Sequence, residues 1–589
     1  MSTFNKFGTF KGVFTPSILT ILGVIMYMRL PMIVGNSGLL STIGIIIIAH
    51  IIAITTGLSV SSIATDKKVE AGGTYFMISR SLGLPIGGTL GLALFVGLSF
   101  SVSLYLIGFS ESFLSYWDFE VTKDSIRIAG TIILLVVTIL TLLSTSLVLK
   151  TQYLIMALII LSLVSIFFGN HEYVPTGSIL TNTKSTIPLM VLFGIFFPAV
   201  TGFEAGVSMS GDLKDPKKSI PLGTIGAIAV GLVVYIILAF FLAYTVNQNT
   251  LANDSNVLLK ISWIPELVIA GIWGATISSA FGSILGAPRI LQATSIDKIT
   301  PKFFGKGYGK TNEPRNALIL TFVIAEAGIL IGELDIIARI VSIFFITTYG
   351  FLNLSNAFES LTSADFRPSF KSPVWVSLLG AAASMIIMIQ LDLLAMVGAS
   401  MILIFLFTFL KRKELTLQSG DAWSSIWTSI VKSGLLRLAK TKSHSRNWQP
   451  NIILFNGPDD RRSHLIELGK NLADKFGMIS GFEISTSDFK LEDKSVNNED
   501  IKPNSEVWLT KKHYSSSIYG GMDEIARSYG YQGLHPNTIL MGWNSQNKNR
   551  PSFVDFINRI EKYKLNALLF KYKPQEGFKN YSTIDIWWN

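Results

Sequence analysis

Apolar runs follow one another from residue 14 to residue 410, separated by short polar connections. Each run holds about 20 residues, enough to cross a hydrocarbon layer of about 30 Å as a helix. Twelve such spans are expected, at 14–36, 39–63, 87–112, 128–147, 150–168, 187–209, 220–246, 266–292, 317–332, 336–358, 374–390 and 393–410. The first is not a cleavable leader, because it lacks a small-residue cleavage site and carries Arg29 near its far end. The pattern changes near residue 411. A basic linker (411–446) leads into short apolar strands alternating with helical periodicity: strands at Asn451–Asn456, Met478–Ile484, Thr538–Trp543 and Ala567–Tyr572, and helices at Ser463–Phe476, 516–528 and 551–563. That alternation implies a largely parallel α/β sheet. The stretch 486–504 is polar and reads as disordered.

Composition sharpens this. Of 589 residues only 15% are charged, against about 25% in ordinary soluble domains. Hydrophobic residues make up 49% and mean hydropathy is +0.47. A disordered chain is excluded, and a wholly soluble one is not expected. The net charge of +10 resembles that of a nucleic-acid binder, but its distribution gives another meaning. One alternating set of connections carries Lys67, Lys68 and Arg80; Lys150; Lys214, Lys217 and Lys218; Lys298, Lys302, Lys306, Lys310 and Arg315; Arg367 and Lys371; then Lys411, Arg412 and Lys413. The other set has Lys123, Arg127, Lys184, Lys260 and little else. Positive residues stay inside, so the first set and both termini are expected in the cytoplasm of a multi-pass cell-membrane protein. With no cysteine, disulfides and thiolate chemistry are excluded, and six scattered histidines give no metal-site spacing. Neither a glycine-rich phosphate loop nor a dinucleotide motif occurs in the tail, and no cofactor or nucleic-acid partner is implied. The expected partners are membrane lipid and small inorganic ions.

Two spans are interrupted. The first reads Ser17-Ile-Leu-Thr20-Ile-Leu-Gly23-Val-Ile25 after Pro16; the sixth reads Phe197-Pro198-Ala-Val-Thr201-Gly202-Phe-Glu204-Ala-Gly206. They stand five spans apart, the spacing of two inverted five-helix repeats. A helix unwound at mid-membrane frees carbonyls that suit cations and N–H groups that suit anions. A simple Pro/Gly kink is the plainer reading of either break alone; the matched pair favours a transport site. Glu204 adds to this, since a carboxylate beside a mid-membrane break is costly and functional by default. In the eighth span, Ser278 and Ser279 are either back-bonded to their own helix or oxygen ligands for a hard cation such as Na⁺. Glu326 is also mid-span and reads as a packing group.

At these residues the sequence resembles the cation-chloride cotransporters of the amino acid–polyamine–organocation superfamily, and a prokaryotic member in particular. The likeness rests on Leu22-Gly-Val-Ile-Met-Tyr-Met-Arg29-Leu, Ser62-Ile-Ala-Thr65, Ala71-Gly-Gly-Thr-Tyr-Phe-Met-Ile-Ser-Arg80 and Phe196-Phe-Pro-Ala-Val-Thr-Gly202. Further matches are Ser210-Gly-Asp-Leu-Lys-Asp215 with Ser219-Ile-Pro221, Gly305-Lys-Gly-Tyr-Gly-Lys310 with Asn312-Glu-Pro314, and Pro536-Asn-Thr538. The resemblance implies an α-helical membrane protein of twelve spans in the 5+5 inverted-repeat, LeuT-like fold. It implies a transmembrane transport domain at 1–410, with repeats at about 14–168 and 187–358 and two further helices in 374–410. A cytoplasmic α/β domain similar to universal stress proteins is implied at 447–589, with regulatory and dimerising roles, in a homodimer.

The implied function is secondary active symport of Na⁺, K⁺ and Cl⁻ by alternating access, with no enzymatic activity. A potassium site falls on Thr20, Ile21, Tyr105, Pro198 and Thr201, where the family usually has Asn at the place of Thr20. A sodium site falls on the carbonyls of Leu19, Leu22 and Ala275 with Ser278 and Ser279, the serine pair marking the sodium-coupled branch. One chloride site uses N–H groups of Gly23, Val24 and Ile25. The other uses those of Gly202, Phe203 and Glu204 with Tyr349. Arg29 and Glu111 match an outer-gate ion pair.

Glu204 departs from the family, which has an apolar residue there; Gly-Phe-Glu-Ala looks like an amino acid permease, where a comparable Glu is linked to protons. A carboxylate about 4 Å from chloride is repelled by roughly 4 kcal/mol at an effective dielectric near 20. Glu204 therefore repels the second chloride, replaces it, or carries a proton. Two alternatives follow: a proton- or sodium-coupled amino acid permease, and a K⁺ symporter in which Glu204 replaces one chloride. Only about ten residues precede the first span, so the resemblance implies that the phosphorylated tail of animal members is absent, as is their glycosylated outer loop.

Overall fold

A computed structural model describes residues 8–66, 72–143, 145–169, 180, 187–208, 213–309, 312–362, 366–391, 393–412, 422–440, 448–455, 463–473, 477–486, 508–531, 534–543 and 550–572. Two compact units emerge, Met1–Trp427 and Thr428–Asn589.

The first unit is helical. A π-helical turn, Phe10–Phe14, leads into α1 (Thr15–Ile21); Leu22 and Gly23 leave the helical path, and α2 (Val24–Met28) resumes it. Next come α3 (Leu30–Asp66), α4 (Thr74–Leu82), α5 (Leu84–Tyr116), α6 (Lys123–Leu143) and α7 (Thr145–Phe167). The sixth span is split into α8 (Leu189–Phe196), a 3₁₀ turn (Phe197–Val200) and α9 (Glu204–Ser208). Then follow α10 (Pro216–Thr245), α11 (Gln248–Asn253), α12 (Val257–Ile261) and α13 (Pro265–Ile296). The unit's last long helices are α14 (Arg315–Ile331), α15 (Leu334–Thr362), α16 (Val374–Leu391) and α17 (Leu393–Lys411).

Among the described residues, eight helical stretches are long and apolar enough to cross a membrane, and Thr151–Phe167 and Leu189–Val200 are shorter apolar helices. The end of the expected first span and the whole of the second run together as α3, which bends at Gly38 (φ 77°), a conformation that glycine adopts without steric cost. Three short helices, α4, α11 and α12, are too brief for periodicity to announce. On α6 the apolar side chains of Ile128, Ile132, Leu135 and Ile139 are exposed, the surface a lipid environment covers. The inner helices touch closely through small residues: α5 packs against α13, α14 and α15, and Gly97, Gly108 and Gly328 each meet a side chain of a neighbouring helix.

Motifs quoted above fasten the helix ends. Arg80 donates through both terminal nitrogens to Asp297 at 3.0 Å, and the Tyr75 hydroxyl joins the same carboxylate at 2.5 Å, tying α4 to the end of α13. Tyr308 and Glu313 exchange two backbone hydrogen bonds of 2.9 Å across the turn before α14.

The stretch expected to be a linker contains a helix, α18 (Ala422–Lys440), which crosses the division between units. In the second unit, β1 (Asn451–Phe455), α19 (Ser463–Ala473), β2 (Met478–Ser485), β3 (Trp508–Tyr514), α20 (Ile518–Ser528), β4 (Thr538–Gly542), α21 (Arg550–Lys562) and β5 (Asn566–Phe570) follow in order. The sheet is wholly parallel, in the order β3-β2-β1-β4-β5. β3 was not anticipated; it follows residues 487–507, which include most of the expected polar stretch and lie outside the described residues. After Asn451, β1 is apolar because it is covered on both faces: Ile453 and Phe455 join one core, Ile452 and Leu454 the other. The Pro-Asn-Thr motif has a structural role here. Asn537 exchanges bonds with Asn451 (3.0 Å each way) and accepts at its carbonyl from Asn566 N–H (2.8 Å), aligning three strand starts.

A methyl group on Gly108 would run into the Val24 side chain, so α2 and α5 can approach only over a glycine there. Gly108→Val is expected to lower stability by about 1–3 kcal/mol, the cost of overpacking. Thermal unfolding in detergent measures it, and an unchanged midpoint would show that the contact relaxes freely.

Candidate functional site

The two breaks face each other. At the first, Leu22 (φ −83°, ψ 43°) and Gly23 (φ −90°, ψ −153°) end α1. At the second, Thr201 is extended and Gly202 takes φ 93°, which favours glycine. Thr20 joins them. Its hydroxyl lies 2.8 Å from the Ser17 carbonyl in its own helix and 3.0 Å from the Gly202 carbonyl across the gap. Ser17 donates to the Phe203 carbonyl at 3.1 Å. A side chain at position 202 would collide with Thr20 Cβ, so glycine is also demanded by the approach of the two strands of backbone.

A cavity opens onto this junction. It is lined by Thr20, Tyr105, Gly202 and Glu204 together with Thr74, Leu94, Leu98 and Arg289. Of the residues expected for potassium, Thr20 and Tyr105 therefore share one wall. Thr201 instead donates to the Pro198 carbonyl at 2.8 Å, and the Ile21 carbonyl accepts from the Tyr235 hydroxyl at 2.7 Å. Tyr235 was missed in the sequence because it lies within an apolar run.

For the sodium set, Ser279 on α13 directs its hydroxyl at the Leu19 carbonyl, 3.4 Å away. Ser278 and Ala275 are buried on the same helix, and Leu22 is buried at the break; none of them makes a hydrogen bond to that carbonyl among the described residues. Gly23, Val24 and Ile25 form the start of α2, where N–H groups have no partner within the helix.

At the residues expected for the second chloride, a side chain of the protein binds the backbone N–H. Glu204 Oε2 accepts from the Gly202 N–H at 3.0 Å. Its other oxygen, Oε1, is buried with no hydrogen-bond partner among the described residues. The Tyr349 hydroxyl lies beside this carboxylate without a hydrogen bond of ordinary geometry, and the Tyr349 ring packs on Phe203 at 5.3 Å.

At the far end of α5, Arg29 links three helices. Arg29 donates to both oxygens of Glu111 (3.1 and 3.2 Å) and through Nε to Asp335 at 2.5 Å. Lys123, at the start of α6, pairs with Glu333, just before α15. Leu98 on the cavity and Glu111 on this tie are thirteen residues apart on α5, about 20 Å along a helix. Asp335 was not anticipated, because an acidic residue opening a helix reads as a favourable N-terminal charge. Glu326 lies apart from this site: Thr131 on α6 donates to its Oε1 at 2.7 Å, joining α6 to α14.

Because the chain has no cysteine, Ser112→Cys introduces a single thiol beside Glu111, at a position 4% exposed. Adding Arg29→Ala is expected to raise its labelling by a membrane-impermeant maleimide severalfold, read as a mass shift. Equal rates in the two proteins would show that Arg29 does not close this end.

Comparison with known proteins places this geometry among relatives. Residues 12–454 match the family model described as amino acid permease. The chain is similar to solute carrier family 12 member 2 of Mus musculus, at 29% identity over 91% of this chain and 50% of that protein. It is similar to solute carrier family 12 member 1 of Homo sapiens, at 30% identity over 95% of this chain and 56% of that protein. Member 2 of Squalus acanthias is 28% identical over 97% of this chain and 54% of that protein. The chain thus spans about half the length of the curated relatives it matches. With the family model covering both broken spans and every helix between them, the chain belongs to the amino acid permease family.

Proposed function

We propose that this chain is a secondary active symporter that couples Na⁺ and K⁺ to Cl⁻ by alternating access, with the Glu204 carboxylate standing in the second anion position. It is a transporter and not an enzyme. The observation that carries the cation reading is the meeting of the Ser279 hydroxyl with the freed Leu19 carbonyl, an arrangement of oxygens around a helix break that suits a hard cation. The observation that carries the anion reading is the Gly202 N–H already bound to Glu204. The bulk around the first break argues against an amino acid as cargo, since Val24 fills the space over Gly108.

In this reading twelve spans form a 5+5 inverted repeat of LeuT type, and the contact of Thr20 with Gly202 is where the two repeats share the site. The lysine-rich connections and both termini lie in the cytoplasm. The cavity beside Thr74 and Arg289 then opens inward, with the Arg29 tie closing the outer end. The α/β unit serves regulation and dimer contacts.

Uptake of ⁸⁶Rb⁺ into proteoliposomes is expected to fall to background when either Na⁺ or Cl⁻ is omitted; uptake indifferent to both overturns the proposal. Glu204→Ala vacates the anion position, removing both the charge and the oxygen that binds the Gly202 N–H. Chloride dependence is expected to steepen from first order toward second order in this variant. An unaltered chloride curve would show that Glu204 does not occupy an anion's place.

A further inference from the structure

The interruption of the first span leaves three carbonyls, those of Leu19, Thr20 and Ile21, without a backbone N–H among the described residues. Two of them are engaged by hydroxyls from different helices. Ser279 on α13 reaches Leu19, and Tyr235 on α10 donates to Ile21 at 2.7 Å. We infer that Tyr235 is a positioning residue for the potassium site: it fixes the direction of the Ile21 carbonyl and so sets the affinity for the larger cation independently of sodium. This rests on the symport reading above.

Tyr235 is built to hold a fixed position. It is fully buried. Phe196, the residue before the 3₁₀ turn of the sixth span, meets its ring edge-on at 5.2 Å and 81°. His50 packs on it at 6.1 Å, itself anchored through Nδ1 to the Ile46 carbonyl at 2.8 Å. One turn earlier on the same face of α10, Gly231 allows Ile21 to approach, since a side chain there would press on Ile21 Cγ2. The helix therefore grips Ile21 twice, by contact with its side chain and by a hydrogen bond to its carbonyl. Tyr105, on the cavity wall, is among the neighbouring phenols.

A carbonyl oxygen has two lone pairs, so the phenol can hold one while the other faces an ion. Removing the hydroxyl leaves a peptide plane at a helix break with no partner to orient it. The Leu19 carbonyl, held from α13, is unaffected. The two cation affinities should therefore separate under mutation, which a general loss of packing would not produce.

Tyr235→Phe keeps the ring against Phe196 and His50 and deletes only the donor. In proteoliposomes carrying the full chain, the KM for ⁸⁶Rb⁺ is expected to rise by about fivefold to twentyfold, the scale of one lost buried hydrogen bond. Vmax and the KM for Na⁺ should be unchanged. Ser279→Ala is expected to show the reverse, a raised KM for Na⁺ with the ⁸⁶Rb⁺ value kept. An unchanged ⁸⁶Rb⁺ KM in Tyr235→Phe, or equal rises for both cations, overturns the assignment. Should that variant fail to elute as a folded species, Gly231→Ala perturbs Ile21 from its other contact and is judged by the same separation. Wild-type ⁸⁶Rb⁺ uptake that does not saturate or does not depend on Na⁺ overturns the symport reading, and this inference with it.

Discussion

Hydrocarbon offers no hydrogen bonds, so a backbone crossing it must pair every N–H and C=O within the protein. A continuous helix does this at no expense to its neighbours; the first and sixth spans do not. Each break exposes groups whose burial without partners costs several kcal/mol, and the surrounding structure is arranged to meet that demand. Thr20 and Ser17 supply hydroxyls to the Gly202 and Phe203 carbonyls, and the glycine at 202 lets the two broken segments come close enough for them to do so. Ser279 and Tyr235 reach in from α13 and α10 for the carbonyls of the first break. The long helices around the centre thus have two duties, to exclude lipid and to deliver one polar group each to a fixed place.

The buried charges divide along the same line. Two arginines hold helix ends through ion pairs: Arg29 lies between Glu111 and Asp335, and Arg80 is matched by Asp297 with Tyr75. Such pairs gain little net stability over apolar packing, but removing one partner strands the other, so they act as latches at helix ends more than as glue. Glu204 is different. Among the described residues its hydrogen-bond partner is a backbone N–H, and its other oxygen, in a site shared with the Tyr349 hydroxyl, has none. A carboxylate tolerated in that state at the junction of two broken helices fits a group whose second partner is the cargo.

The long spans were legible because burial among apolar neighbours and exposure to lipid ask for the same residue types over lengths that only a helix satisfies. The breaks were legible because Pro198, Gly202 and Gly23 interrupt that pattern where a polar run would not be tolerated. What escaped was local or long-range. α18 mixes Trp423, Trp427 and Ile430 with Lys432, Arg437 and Lys440, and its basic residues read as a linker. In β3, Lys511 and Lys512 stand side by side and blur the alternation of a strand, though the ladder with β2 is complete. Asp335 and Tyr235 each follow a local rule, a helix-opening acid and an apolar-face aromatic, and only the fold shows that each reaches a residue more than two hundred positions away.

A tethered anion has a consequence for energetics that a bound ion does not. Two cation positions balanced by two chlorides would carry no net charge through the cycle. In the proposed arrangement one negative charge belongs to the chain, is never released, and returns with the empty carrier. Two cations then travel with one chloride, and each cycle moves one net positive charge. The membrane potential acts on that charge with about 2.3 kcal/mol per 100 mV, comparable to a fiftyfold concentration ratio of one ion at about 1.4 kcal/mol per factor of ten. Replacing an exchangeable chloride by Glu204 thus shifts the driving force from the chloride gradient toward the potential, without altering the cation oxygens around the first break.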